Sequence, residues 1–161
     1  MADLNKLLTP LFLNEKEIRK IIELLFFSYR EFTSGPDKVL EKLGFGRAHH
    51  RVIYFVGKQK KLTIKELLSI LQITKQSLSR VLNQLVKEKY IIVSTGIDKR
   101  TKNLCLTKKG ELLENKLSTI QVTKIKKIIK NYNEDDINGF KKVLYSMIDE
   151  KNRLKFNEIN K

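Results

Sequence analysis

The chain has 161 residues, 41% of them hydrophobic, which suits one domain with its own core and a helical appendage. Its 33 Lys and Arg against 18 Asp and Glu leave a net charge of +15 and a pI near 9.9, a balance that favours polyanionic partners. The single cysteine, Cys105, rules out a disulfide framework within the chain and a cysteine-based zinc cluster.

The charge is focused. Between Lys58 and Gly110 stand 13 basic residues against Glu66, Glu88 and Asp98, so +10 falls in one third of the chain. No apolar run approaches the ~18 residues of a membrane span, and "MADLNKLLTPLFLNEKE" has neither a basic n-region nor a small-residue cleavage site. A cytoplasmic protein without membrane contact is expected.

In chain order, Asn14 is placed to cap a first helix. Ile18, Ile21, Ile22, Leu25, Tyr29 and Phe32 recur on it at helical spacing, and "SGP" at 34–36 reads as its breaker. A second helix is predicted from about Arg47 to Gly57. A third starts at Thr63, where "TIKE" is a capping box completed by Glu66, and ends near Leu71. A fourth opens at Thr74 and runs to about Glu88. The period then changes. "YIIVS" and "KNLCLT" alternate as strands around a glycine-containing turn and read as a hairpin. Thr107 caps a long helix carrying Leu112, Leu113, Leu117, Ile120, Ile125 and Ile128. A last helix starts at Asn133 with acids at 134–136, and its stripe is Ile137, Phe140, Leu144, Met147 and Leu154.

Two short helices joined tightly and followed by a hairpin describe a winged helix-turn-helix. The expected fold is mainly α with a small β-hairpin wing: a DNA-binding lobe over 47–110, flanked by helical dimerisation segments at 1–46 and 111–161. The terminal stripes need a partner, and a second copy of the chain is the simplest.

On the fourth helix, 100° steps place Leu78, Val81, Leu82 and Leu85 inward. Gln76, Arg80, Asn83 and Lys87 fall opposite, with Ser79 at the margin and Thr74, Lys75 and Ser77 in the opening turn. Arginine matches guanine O6/N7, and glutamine and asparagine match adenine N6/N7. A solvated face would mix signs, yet Glu88 is the only acid between Thr74 and Lys89. In the turn "GIDKRTKN", Arg100 suits an A·T-rich minor groove, Lys99 and Lys102 suit phosphates, and Asp98 suits an anchor for a neighbouring cation.

Other chemistries find less support. His49 and His50 are adjacent, so their rings diverge by about 100° on a helix; packing or interhelix hydrogen bonding is expected of them, and no metal or cofactor. Cys105 reads as inert filler of a strand. No nucleophile–base–acid set or phosphate loop appears, so the chain is not expected to be an enzyme. The alternative left open is a winged-helix protein that binds nucleic acid without sequence preference.

"DKRTKNLCLTKKG" resembles the wing signature D-x-R-x-x-x-L-x-L-T-x-x-G of MarR/SlyA-type regulators through Asp98, Arg100, Leu104, Leu106, Thr107 and Gly110. "LTIKELLSILQITKQSLSRVLNQLVKEKYI" is similar to the helix-turn-helix of that family. "GRAHHRVIYFVGKQKKLTIKELLSILQITKQSLSRVL" looks like its alphaproteobacterial branch. The resemblance runs from about Ile18 to Leu154. It implies an obligate homodimer on a pseudo-palindromic double-stranded operator, with a repressor expected, and often release by a small-molecule effector or oxidant. The implied effector cavity lies between the lobe and the dimer helices, with Phe26, Arg30, His49, His50, Arg51 and Tyr54 as its candidate lining. Two positions depart from the pattern: Lys89 stands where the family usually has glycine, and Ser94 where it often has a basic residue.

Overall fold

The structure, a computed structural model, describes residues 14–96 and 101–161. Helix α1 (Glu15–Glu41) is followed by α2 (Arg47–Lys58), strand β1 (Leu62–Thr63), α3 (Ile64–Leu71) and α4 (Lys75–Lys87). Strands β2 (Ile91–Thr95) and β3 (Lys102–Leu106) come next, then α5 (Lys108–Ile129), α6 (Glu134–Ser146) and α7 (Glu150–Ile159).

Most helix starts carry the predicted caps. Asn14, Thr63, Thr74, Thr107 and Asn133 each accept a backbone N–H three residues on, satisfying a donor that the helix itself leaves orphaned. At Thr63 the box is reciprocal: Glu66 accepts from the Thr63 N–H at 2.8 Å and from its hydroxyl at 2.7 Å. Those bonds hold the Glu66 carboxyl below its ordinary pKa.

The core lies inside the lobe. Leu67 of α3, Leu78 and Leu85 of α4, Ile91 of β2 and Leu104 of β3 are essentially sealed from solvent. Leu40 of α1 and Leu113 and Leu117 of α5 join the same cluster, so the flanking helices supply part of the lobe's interior. The sheet has three strands in the order β1-β3-β2, all antiparallel. The hairpin was expected; β1 was not. A two-residue strand shows no alternation to detect, and its pairing of Leu62 with Leu104 spans some forty positions.

Two expectations are corrected. "SGP" does not break the first helix, because α1 runs through Pro36 to Glu41. Proline removes the N–H that would bond the Phe32 carbonyl and crowds the preceding turn, while side chains hydrogen-bond carbonyls one turn earlier. Thr33 donates to the Tyr29 and Arg30 carbonyls at 3.1 Å, Ser34 to that of Glu31, and Lys124 of α5 also to that of Glu31. Pro36 itself is buried. Gly35 lets α5 approach, since a Cβ there would stand 2.7 Å from the Ile120 side chain. The second correction concerns the last helix, which is two. α6 stops at Ser146, and Arg153 folds back to donate to the Ile148 and Ser146 carbonyls at 2.8 and 2.9 Å. Those bonds satisfy the end of α6 in place of another helical turn.

Candidate nucleic-acid interface

Helix α4 is amphipathic as predicted. Leu78, Val81, Leu82 and Leu85 are buried, and Thr74, Lys75, Gln76, Ser77, Ser79, Arg80, Asn83 and Lys87 are all exposed. The Thr74 hydroxyl accepts from the Ser77 N–H at 3.1 Å and donates to the Ser77 hydroxyl at 2.9 Å, so the helix N-terminus is already ordered. Among the described residues, no side-chain hydrogen bond or ion pair to the Arg80 or Asn83 side chain is present; both stand free for an incoming surface.

The end of α4 is locked just as firmly. Lys89 takes φ 62°, the left-handed conformation that glycine adopts without strain. The Lys89 N–H bonds the Val86 carbonyl and the Tyr90 N–H the Leu85 carbonyl, which is the Schellman closure. The helix therefore ends as glycine would end it, at a cost of about 1 kcal/mol for the lysine side chain.

The wing is fastened to that end. The Thr107 hydroxyl donates to the Lys89 carbonyl at 2.6 Å, and the Thr107 N–H donates to the Tyr90 carbonyl at 3.0 Å. One turn on, a Cβ at Gly110 would stand 2.1 Å from the Tyr90 carbonyl oxygen. Only glycine permits that approach, which gives the T-x-x-G element a packing reason. Gly96 N–H bonds the Thr101 carbonyl at 2.8 Å and closes the hairpin, and Lys102 is exposed beside it. Asp98, Lys99 and Arg100 lie outside the described residues. Cys105 faces Ile92 across the ladder and is half-buried.

A regulator family accounts for this arrangement of helix-turn-helix and clamped wing. Residues 43–100 match the model of the MarR family. The chain is 42% identical over 142 residues to the HTH-type transcriptional regulator PetP of Rhodobacter capsulatus, covering 88% of this chain and 86% of that one. The chain belongs to the MarR family. Among solved structures, a Streptococcus pneumoniae FabT–DNA complex superposes with a TM-score of 0.71 at 24% identity, covering 89% of this chain and 99% of that one. The Staphylococcus aureus MepR–DNA complex gives a TM-score of 0.64 at 22% identity, over 79% and 94% of the two chains. Both likenesses support the winged-helix fold. As a MarR-family winged-helix protein, the chain is a DNA-binding transcription regulator. No described helix is long and apolar enough to cross a membrane.

The six residues implied around an effector lie on two helices, Phe26 and Arg30 on α1 and His49, His50, Arg51 and Tyr54 on α2. Tyr54 lines a cavity of about 480 Å³ between α2, α3 and α7, together with Phe55, Leu71, Ile148 and Phe156 and the amines of Lys58 and Lys155. Phe26 and Arg30 lie on the exposed face of α1, where the Arg30 guanidinium sits 4.8 Å from the Phe27 ring centre. Arg51 donates to the Tyr29 hydroxyl at 3.0 Å. His50 is half-buried, and that burial pushes its imidazole pKa down. His49 faces α4 instead, with Nε2 2.9 Å from the Gln84 Oε1. Gln84 went unnoticed in the sequence because it falls between the inward and outward faces of α4 and its partner lies 35 positions away.

Proposed function

We propose that this MarR-family chain is a repressor that binds a pseudo-palindromic operator as a homodimer. The observation that carries the reading is the division of α4: four apolar side chains buried, and Gln76, Arg80 and Asn83 exposed on the opposite side of a helix capped at both ends. Those three residues read base edges in the major groove. Thr74, Lys75, Ser77, Ser79, Lys87, Lys99 and Lys102 position the lobe on phosphates. Arg100 enters the flanking minor groove and Asp98 orients it.

Dimerisation is supported by the terminal helices. α1 exposes Ile18, Ile21, Ile22, Leu24, Phe26 and Phe27, α6 exposes Phe140, Val143 and Leu144, and Met147 is exposed at its C-cap. Contiguous apolar surface of that extent is rare on a monomer. A small-molecule effector belongs to the proposal as well, taken up where Tyr54 lines the cavity beside α7.

Selection of bound duplexes from a random pool tests the core of the reading. An inverted repeat whose half-sites lie about one helical turn apart is expected. A flat affinity governed only by salt would favour the non-specific alternative and remove the operator.

A further inference from the structure

The segment between α1 and the recognition helix contains a polar joint, and its centre is an imidazole. His49 occupies the third position of α2. The Gly46 N–H donates to its Nδ1 at 3.1 Å, while Nε2 lies 2.9 Å from Gln84 Oε1. A ring nitrogen that accepts from a backbone N–H carries no proton, so the proton sits on Nε2 and is donated to Gln84. The Gln84 amide nitrogen donates onward to Glu88 Oε1 at 3.1 Å, which sets the amide so that its oxygen faces the histidine. Every donor in this relay has an acceptor.

The surroundings leave the ring little freedom. It stacks on Phe45 with 4.7 Å between ring centres and 12° between planes. Phe45 meets Tyr90 edge-on at 5.2 Å, and the Lys109 amine lies 4.0 Å from the Tyr90 ring centre. Two residues before the histidine, Arg47 holds Asp37 of α1 through Nε at 2.9 Å and Nη2 at 2.8 Å. Residues 44–49 therefore grip α1 on one side and α4 on the other.

We propose that His49 is a positioning residue for operator recognition. Its Nε2–H, donated to Gln84, sets the attitude at which α4 presents Gln76, Arg80 and Asn83. This rests on the operator reading above.

The test measures operator and non-cognate duplex affinity of the full chain. His49→Leu should weaken operator binding about tenfold and non-cognate binding less than about threefold. Gln84→Leu should match it, and the double variant should lose little more than either single one, as expected of one linkage. His49→Gln should recover most of the loss, because its amide carries an acceptor and a donor side by side. Multiplying losses in the double variant, equal losses on both duplexes, or no recovery in His49→Gln would each overturn the role assigned to His49 while leaving operator binding standing. Failure of the wild-type chain to prefer any duplex sequence would defeat both readings.

Discussion

The winged lobe and the terminal helices of this chain both carry apolar stripes at helical spacing but differ in closure. In the lobe, α3, α4 and the sheet bury their apolar stripes against one another, and Leu67, Leu85 and Leu104 are fully enclosed. In α6 and α7 no described residue is buried, and Phe140 and Met147 remain 59% and 58% exposed. The same 3.6-residue period thus produces a finished core in one region and an unfinished surface in the other. An amphipathic stripe states that a helix will be covered; it does not state by what.

Substitution across the two regions gives the widest contrast. Leu85→Ala should cost about 2–5 kcal/mol by denaturant unfolding, since it opens a cavity in a sealed core. Phe140→Ala should change the stability of a dissociated chain by no more than about 0.5 kcal/mol, yet weaken self-association measured by sedimentation. Equal effects on folding would mean that α6 is already covered within one chain.

Next in size is Gly110→Ala. The added methyl meets the Tyr90 carbonyl, so the wing must shift away from the end of α4, and a loss of about 1–3 kcal/mol is expected in thermal unfolding. Wild-type stability in that variant would show that the wing is not clamped there.

Within the lobe, Arg80→Ala should cost about 1–3 kcal/mol of operator affinity and relax preference at one base position per half-site. Lys102→Ala should instead weaken all duplexes alike and lower the salt slope by about one unit. Uniform losses from both would place Arg80 on phosphates. A smaller effect, of opposite sign, is expected at the end of α4. Lys89→Gly should raise stability by about 0.5–1 kcal/mol by relieving a left-handed lysine.

The smallest effect is a pH slope where the lobe meets α1 and α5. Burial lowers the His50 pKa from its ordinary 6.5, with Asp37 and Glu114 partly opposing. Between the lowered value and 6.5 the unfolded chain binds more protons than the folded one. Stability from this group is therefore complete above pH 6.5 and declines as pH falls through the folded pKa. His50→Gln should flatten that part of the stability–pH curve; an unchanged slope would assign it elsewhere.

What the sequence by itself determined is local. Caps at Thr63, Thr74, Thr107 and Asn133, the buried set of α4 and the hairpin were legible because their causes act within about four residues or along one period. The exposed face of α4 was legible for the same reason, since burial of Leu78, Val81, Leu82 and Leu85 leaves Gln76, Arg80 and Asn83 outward. Tertiary structure decided the rest. Whether "SGP" breaks a helix depended on packing: Pro36 is buried, and a face of α5 approaches that only Gly35 can admit. The division of the last helix depended on Arg153 reaching back over the turn, and β1 existed only once β3 lay beside it. The partition into lobe and flanks was blurred by Leu40, Leu113 and Leu117, which cross it to complete one core. The sequence offered His49 for packing or an interhelix hydrogen bond, with cavity lining implied only by resemblance, and the fold chose Gln84 as its partner. Contacts between residues 35 or 90 positions apart leave no period in the chain, because they are set by which surfaces meet once the helices have formed.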